Sequence, residues 1–362
     1  MTVAVTFKEE IKLMNEITID GQLIGRKHKP YVVAELSANH NGSIDKAIKT
    51  MEMAAAVGAS AIKLQTYTAD TMTIDCENED FKITGGLWDG YQLYDLYNEA
   101  HTPYEWHEEL FKKGKELGIT VFSTPFDETA VALLESLDAP AYKIASFEAI
   151  DLPLIKRVAE TGKPMIISTG MANLEEITEA VGTARENGCN ELVLLHCISS
   201  YPSPVEQANL ATIGDITKRF NCIAGLSDHT MGTVVSVASI AFGACVIEKH
   251  IILSRDDKGP DSAFSLEPQE LKTLCEDTEA AWKAIGTVGY ERKQAEEANV
   301  RFRRSIYFVK NIAAGEVVTK AHIRSIRPGF GLAPKFYEDI LGKKVLLDIQ
   351  RGTATKHEHF SE

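Results

Sequence analysis

Two lysines stand inside apolar runs: Lys63 in AIKLQT and Lys143 in AYKIAS. A lysine in such a run is rarely buried without an anion facing it. Hydroxyls recur in comparable places, at Thr124 in FSTPF, Ser146 at the end of AYKIAS and Ser168 in IIST. Two amines and three hydroxyls suit a small phosphorylated acid; pairing of each amine with a carboxylate such as Glu35 or Glu148 is the alternative. A desolvated lysine also supports Schiff-base chemistry on a carbonyl. His229 in GLSDHT and His250 in IEKH could hold a divalent metal if a carboxylate lies near. Glu35 in VVAEL could serve as a general base. Asp261 follows in GPDSAF, and Arg327 lies in RPGFG, either gripping a substrate carbonyl or carrying an ordinary solvated charge. His196, earlier in its run, is equally suited to a core role.

These residues share a position. Eight short apolar runs begin at about Tyr31, Ala61, Thr120, Ala141, Pro164, Glu191, Ile223 and Cys245. Their type predicts β-strands, and amphipathic helical segments follow them. Asp127 stands as a predicted N-cap, Asn173 and Glu176 as a predicted capping box, and Gly58 as a helix stop. Eight β/α units in series predict an α/β fold, a closed (β/α)8 TIM barrel over residues 31–286. An open doubly wound sheet is the alternative, but no glycine-rich phosphate loop follows the first strand. In a barrel the strand C-termini form the catalytic face. Apart from Asp261, just after the last strand, and Arg327, in the small C-terminal part, the candidate residues above sit at or just beyond those ends, as do Gln65, Ser123, Thr169, Ser199, Ser200, Ser227, Asp228 and Glu248.

One connection, from Tyr67 to about His101, is far longer than usual and contains GGLWDGYQLYDLY. Such a loop at the strand C-terminal end is functional or a variable surface excursion. Residues 1–30 read as an N-terminal extension and 287–300 as a polar linker. Residues 301–362 read as a small β-rich domain, short enough to need a packing partner.

Bulk properties narrow the function. The chain of 362 residues is 44% hydrophobic and 25% charged, ordinary values for a globular protein. A formal net charge of −14 argues against nucleic acid as a partner. Six scattered cysteines without a C-x-x-C pair suit a reducing, cytoplasmic setting. The longest apolar stretch, from Met231 to Ile247, is broken by Gly243 and reads as a helix followed by a strand, not as a membrane span.

Over nearly its whole length the chain resembles the sialic acid synthase family. The resemblance rests on AELSANHNGS, IKLQT, FSTPFD, PAYKIAS, ISTGMA, LLHC, YPSP, GLSDHT, IEKH and GPD, with SIRPG and LGKK similar to that family's small antifreeze-like (SAF) domain. Within the family, GLWDGYQLYDLY, EAHTPYEWH and FRRSIYFV look most like the pseudaminic acid synthases. The resemblance implies condensation of phosphoenolpyruvate with an open-chain amino-sugar aldehyde, here 2,4-diacetamido-2,4,6-trideoxy-L-altrose. N-acetylmannosamine and the legionaminic acid precursor are the alternative sugars. It implies that Lys63, Thr124, Lys143, Ser146, Ser168, Ser199 and Ser227 bind phosphoenolpyruvate. By the same resemblance Glu35 is the implied acid/base residue, and Glu148, Tyr201 and Asp261 are expected to contact the sugar. It likewise implies that His229 and His250 hold a divalent metal, Mn2+ before Mg2+ or Co2+, and that Arg327 reaches in from the partner of a domain-swapped homodimer. Two departures from the N-acetylneuraminate synthase pattern bear on the sugar. Ser199 stands where those enzymes carry asparagine, and Arg301, Arg303 and Arg304 replace an aromatic contact. A Schiff-base aldolase and a non-catalytic carbohydrate-binding protein are the rival functions.

Overall fold

The computed structural model describes residues 16–361. Half of the expected N-terminal extension, residues 1–15, lies outside them. The chain divides into two units, the first ending at Gly286 and the second beginning at Thr287.

The first unit is a closed parallel barrel. Its strands are β3 (Tyr31–Glu35), β4 (Ala61–Thr66), β5 (Thr120–Pro125), β6 (Tyr142–Ile144), β7 (Met165–Ser168), β8 (Leu192–Cys197), β9 (Ile223–Ser227) and β10 (Val246–His250). They pair in chain order, and β10 closes on β3 with Val246 opposite Tyr31 and His250 opposite Glu35. The three helix signals read from the sequence work as predicted. Asp127 accepts hydrogen bonds from the Thr129 and Ala130 amides to start α5 (Glu128–Ser136). Asn173 and Glu176 form a capping box that starts α7 (Leu174–Glu186). Gly58, at φ +93°, follows the end of α1 (Ile44–Ala56).

Strand alternation sorts the side chains into two shells. Val32, Ile62, Leu64, Tyr142, Ile167, Leu194 and Ile247 point outward and pack beneath the helices. Tyr31, Val33, Ala61, Phe122, Ala141, Ile166, Val193, Leu195, Ile223 and Val246 form a separate apolar interior. Glu35, Lys63, Thr124, Lys143, Ser168, Cys197, Ser227, Glu248 and His250 share the parity of that interior set but lie nearer the strand C-termini. The barrel is therefore apolar at its base and polar at its mouth. Gly225 belongs to the inward set for a steric reason. A Cβ there would lie 2.2 Å from the Val246 carbonyl oxygen and 2.7 Å from Leu195.

A feature absent from the sequence reading sits at the base. Strands β1 (Glu16–Ile19) and β2 (Gln22–Gly25) form an antiparallel hairpin turned at Asp20–Gly21. Ile17, Ile19 and Ile24 join the interior apolar cluster and are almost fully buried. The segment read as an extension is thus in part a plug. Its alternation of exposed and buried residues is only four residues long, too short to separate from loop sequence.

The second unit holds β11 (Ser305–Phe308) and β12 (Ile323–Ile326), antiparallel, with isolated bridges such as Ile312 to Ile349 and Val345 to Phe360. Ile306, Phe308, Ile323, Ile340 and Val345 centre its own apolar core. No helix among the described residues is long and apolar enough to cross a membrane.

Candidate active site

The two buried lysines and two carboxylates, Glu35 and Glu248, converge at the barrel mouth. Lys63 Nζ lies 2.6 Å from Glu35 Oε2 and 3.7 Å from Glu248 Oε1, and it donates to Thr124 Oγ1 at 3.1 Å. Lys143 Nζ lies 3.6 Å from the same Glu248 oxygen. Lys143 therefore faces Glu248, not the Glu148 weighed from sequence. Glu248 sits between both amines and is the central residue that sequence reasoning left unassigned. Its strand-end position is visible, but VIEKH itself carries no sign of its partners, which lie on distant strands.

Burial raises the Glu35 pKa above the usual carboxylate range, and the Glu248 charge adds to this; Lys63 opposes without cancelling it. Burial acts the same way on Glu248, but Lys143 and Lys63 outweigh it and hold that group low. The pair is pushed apart: Glu35 is biased toward its protonated form and Glu248 toward its anion. Lys63 is raised because Glu248 and Glu35 overcome its burial. Lys143 is lowered by burial and by the Lys63 charge, despite Glu248.

Hydroxyls surround this cluster. Ser227 Oγ lies 3.4 Å from Glu248 Oε1, and Ser146 Oγ lies 3.4 Å from Cys197 Sγ. Ser168 Oγ is buried with no hydrogen-bond partner among the described residues, a cost a ligand oxygen would relieve. Gly170 lets the wall close. A Cβ there would lie 2.2 Å from Ser199 Oγ and 2.8 Å from Ser146 Oγ. Thr124, Ser146, Ser168, Ser199 and Ser227 thus line one cradle beside the lysines.

Some strand-end polar residues turn away. Ser123 bonds Thr66, which also meets His107, outside the barrel. His196 Nε2 meets the Ala208 carbonyl at 2.7 Å, the core role left open from sequence. Asp228 pairs with Lys249 at 2.9 Å, both buried. The Asp228–Lys249 pair, which also bonds the Thr230 backbone, holds the loop carrying His229 instead of facing ligand.

His229 and His250 lie on neighbouring strand ends, ring centroids 5.4 Å apart. The Ile198 carbonyl can only accept, so His229 Nδ1, 3.0 Å away, carries the proton and leaves Nε2 as a lone-pair donor. His250 Nδ1 faces Asp261 Oδ2 at 3.5 Å. The neighbouring His250 ring, Ser37 and the Ala38 backbone hold the Asp261 carboxyl low in spite of its burial. Among the described residues no three His, Cys, Asp or Glu side chains form a ligand cluster. Two imidazoles oriented by a carbonyl and a carboxylate nevertheless fit a divalent metal that takes its other ligands from substrate and water.

Above the cluster lies a cavity of about 380 Å3 lined by Gln65, Glu148, Tyr201, His250 and Asp261. Tyr201 stacks at 4.4 Å from His229 and 5.2 Å from Phe264. Burial pushes the Glu148 carboxyl up to about 7. The opposite wall comes from the long connection after β4: Tyr67, Met72, Ile83, Trp88 and Tyr97. That segment is structured, with short helices α2 (Ala69–Met72) and α3 (Leu93–Ala100). Arg327 belongs to the second unit, where it is exposed just after β12.

A closed parallel barrel with two buried lysines, two buried carboxylates and a pair of histidines at its mouth, followed by a separate β-rich unit, defines a two-unit barrel protein with a polar site at the strand C-termini. The chain belongs to the NeuB family, whose profile matches residues 50–290, and a SAF domain matches residues 303–355. It is 42% identical to the pseudaminic acid synthase of Campylobacter jejuni strain 81-176, covering 92% of this chain and 97% of that one. It is 42% identical to the pseudaminic acid synthase of Helicobacter pylori, covering 90% and 96%. Among solved structures, the N-acetylneuraminic acid synthetase of Leptospira borgpetersenii in complex with citrate superposes with a TM-score of 0.71. That match has 30% identity and covers 80% of this chain and 96% of that one.

Proposed function

We propose that this chain condenses phosphoenolpyruvate, water and 2,4-diacetamido-2,4,6-trideoxy-L-altrose to pseudaminic acid and phosphate. The observation that carries it is the cradle at the mouth: two buried lysines and the unpartnered Ser168 hydroxyl, set beside a cavity sized for a sugar. The similarity to pseudaminic acid synthases supports the choice of sugar.

In this reading Lys63, Lys143, Thr124, Ser146, Ser168, Ser199 and Ser227 bind phosphoenolpyruvate, matching its carboxylate and phosphate charges. C3 of phosphoenolpyruvate attacks the aldehyde carbon, water adds at C2, and the tetrahedral species releases phosphate by C–O cleavage. Glu35, with its raised pKa, holds and moves a proton at the reacting oxygen. Glu148, Tyr201 and Asp261 position the sugar. His229 and His250 would hold a divalent metal, Mn2+ before Mg2+ or Co2+, and such an ion would supply Lewis-acid polarisation of the aldehyde oxygen. Arg327 reaches the sugar from the partner of a domain-swapped homodimer. Exposed apolar side chains around the mouth, Phe147, Met171, Val205, Met231 and Val234, support such a cover. The six cysteines are free thiols, which supports a cytoplasmic setting.

The test is phosphate release from phosphoenolpyruvate with Mn2+ and each of three sugars: the diacetamido-trideoxy-altrose, the legionaminic acid precursor and N-acetylmannosamine. Release with the first, lost on chelation, is expected. Release only with another keeps the reaction and moves the product. One observation favours a second reading: the depressed Lys143 pKa suits a Schiff-base aldolase. Borohydride trapping of substrate on Lys143, with chelator-resistant turnover, would establish it instead.

A further inference from the structure

The connection after β4 places a tryptophan over the cavity in a way the chemistry above leaves unused. Residues 82–92 form a small lobe. The Ile83 amide donates to the Tyr91 carbonyl at 2.8 Å, and the Gly90 amide donates to the Ile83 carbonyl at 2.9 Å. Gly85 and Gly86 take φ of +80° and +78°, and the Gly85 amide donates to Asp89 Oδ1 at 2.6 Å. Only glycine adopts two successive left-handed residues without strain, so this turn is set by the sequence. It holds Trp88 at its tip, ring centroid 5.9 Å from Tyr201, which itself stacks on His229. The indole is therefore one aromatic ring removed from the candidate metal pair.

Trp88 Nε1 is buried and lacks a hydrogen-bond partner among the described residues. An indole N–H is donor only, and it is normally satisfied when buried. Its surroundings are apolar: Ile83, Met72 and Tyr97 line the same wall. Glu148, which also lines the cavity, has Oε2 likewise buried without a partner among the described residues. The wall thus offers apolar surface with one unmet donor, which suits a methyl-bearing amide whose carbonyl oxygen accepts.

We infer that Trp88 is a specificity-determining residue whose indole N–H donates to the carbonyl of the acetamido group on C4 of the sugar. The inference rests on the proposed reaction. Its placement one ring beyond Tyr201 matches a substituent far along the open chain from the aldehyde, not one adjacent to it. The methyl groups of the amide and of C6 lie against Ile83, Met72 and Tyr97. A sugar with a hydroxyl at C4 leaves the donor without its amide partner and the apolar wall uncovered.

The experiment compares wild type, W88F and W88A with the diacetamido sugar and with its C4-hydroxy analogue. W88F keeps a ring against Tyr201 and removes only the donor. The expected result is a loss of about tenfold in kcat/KM for the diacetamido sugar in W88F, and more in W88A. The C4-hydroxy analogue and the KM for phosphoenolpyruvate change little, and Tm is unmoved. An unchanged preference between the two sugars in W88F overturns the inference. So does a parallel rise in the KM for phosphoenolpyruvate, which would mark a general distortion. A second readout separates this from failure of the reaction itself. The chain has three tryptophans, so the Trp88 indole 15N–1H signal is assigned by its loss in W88F. Titration with the sugar alditol, which cannot condense, shifts that signal if Trp88 contacts the amide, even should wild type turn over neither sugar. No shift on saturation overturns the contact.

Discussion

Lys63 and Glu35 face each other across adjacent strands with Nζ and Oε2 2.6 Å apart, side chains 4% and 1% exposed. Glu248 stands on the other side of the same amine. Removing the amine leaves two carboxylates buried together. K63M is expected to lose about 3–5 kcal/mol of stability along with turnover. E35Q keeps the volume and leaves Lys63 paired with Glu248, so its stability changes far less. Its turnover is expected to fall by about 10²–10⁴, the usual contribution of a positioned proton carrier. Urea unfolding and phosphate release measured on both variants check the contrast. An E35Q enzyme at wild-type rate would assign the proton to another group.

The histidine pair makes a separate prediction that does not depend on turnover. H229A and H250A are expected to abolish Mn2+ binding, so that the free-ion Mn2+ signal in electron paramagnetic resonance, diminished by wild type, is retained with either variant. D261N removes the carboxylate 3.5 Å from His250 Nδ1 and is expected to weaken binding about 10–100-fold. Full Mn2+ affinity in H250A would remove that residue from the metal site.

Much of this arrangement was legible before the structure. Runs such as AIKLQT and VIEKH announce strands, and their order announces a barrel; a polar residue near the end of an apolar strand is then at the mouth. What the sequence did not carry was direction. Ser123 and His196 lie at strand ends as Thr124 and Cys197 do, yet one step of alternation turns them to Thr66 and Ala208. Glu248 and Lys249 are neighbours in IEKH with opposite fates: the first enters the anion cluster, the second goes outward to Asp228. Register is needed to tell them apart, and register comes from pairing partners distant in the chain. Trp88 was visible only as part of an unusually long loop, since nothing local says which wall a loop will build.

Glu148 predicts a pH dependence. Burial raises its pKa from 4.5 to about 7, so the folded protein keeps this proton over a range where the unfolded chain has released it. Stability contributed by the neutral group is complete below pH 4.5, declines as pH rises and is lost above about 7. A shift of that size corresponds to up to about 3 kcal/mol. E148Q is permanently neutral and lacks the decline. Its stability relative to wild type is expected to grow between pH 4.5 and 7 and then stay level. Chemical denaturation across that range checks it. Parallel curves for the two proteins would show that Glu148 ionises freely in the fold.

Lys249 and Asp228 test whether the metal pair depends on a support outside the barrel. Lys249 Nζ lies 2.9 Å from Asp228 Oδ2, both side chains almost wholly buried, and it also donates to the Thr230 carbonyl. Asp228 accepts further hydrogen bonds from the Thr230 amide at 2.8 Å and from Ser236 Oγ at 2.5 Å. The residues on both sides of His229 are thereby clamped. K249M leaves Asp228 charged and partly unpaired in the interior, and is expected to cost about 3–5 kcal/mol. Replacing both partners, in D228L/K249M, removes the buried charge and is expected to recover much of that loss. Mn2+ affinity should not recover with it, because neither variant restores the bonds that fix the His229 loop. If the double variant regained both stability and metal affinity, the ion pair would be dispensable and the orientation of His229 would rest on the Ile198 carbonyl alone.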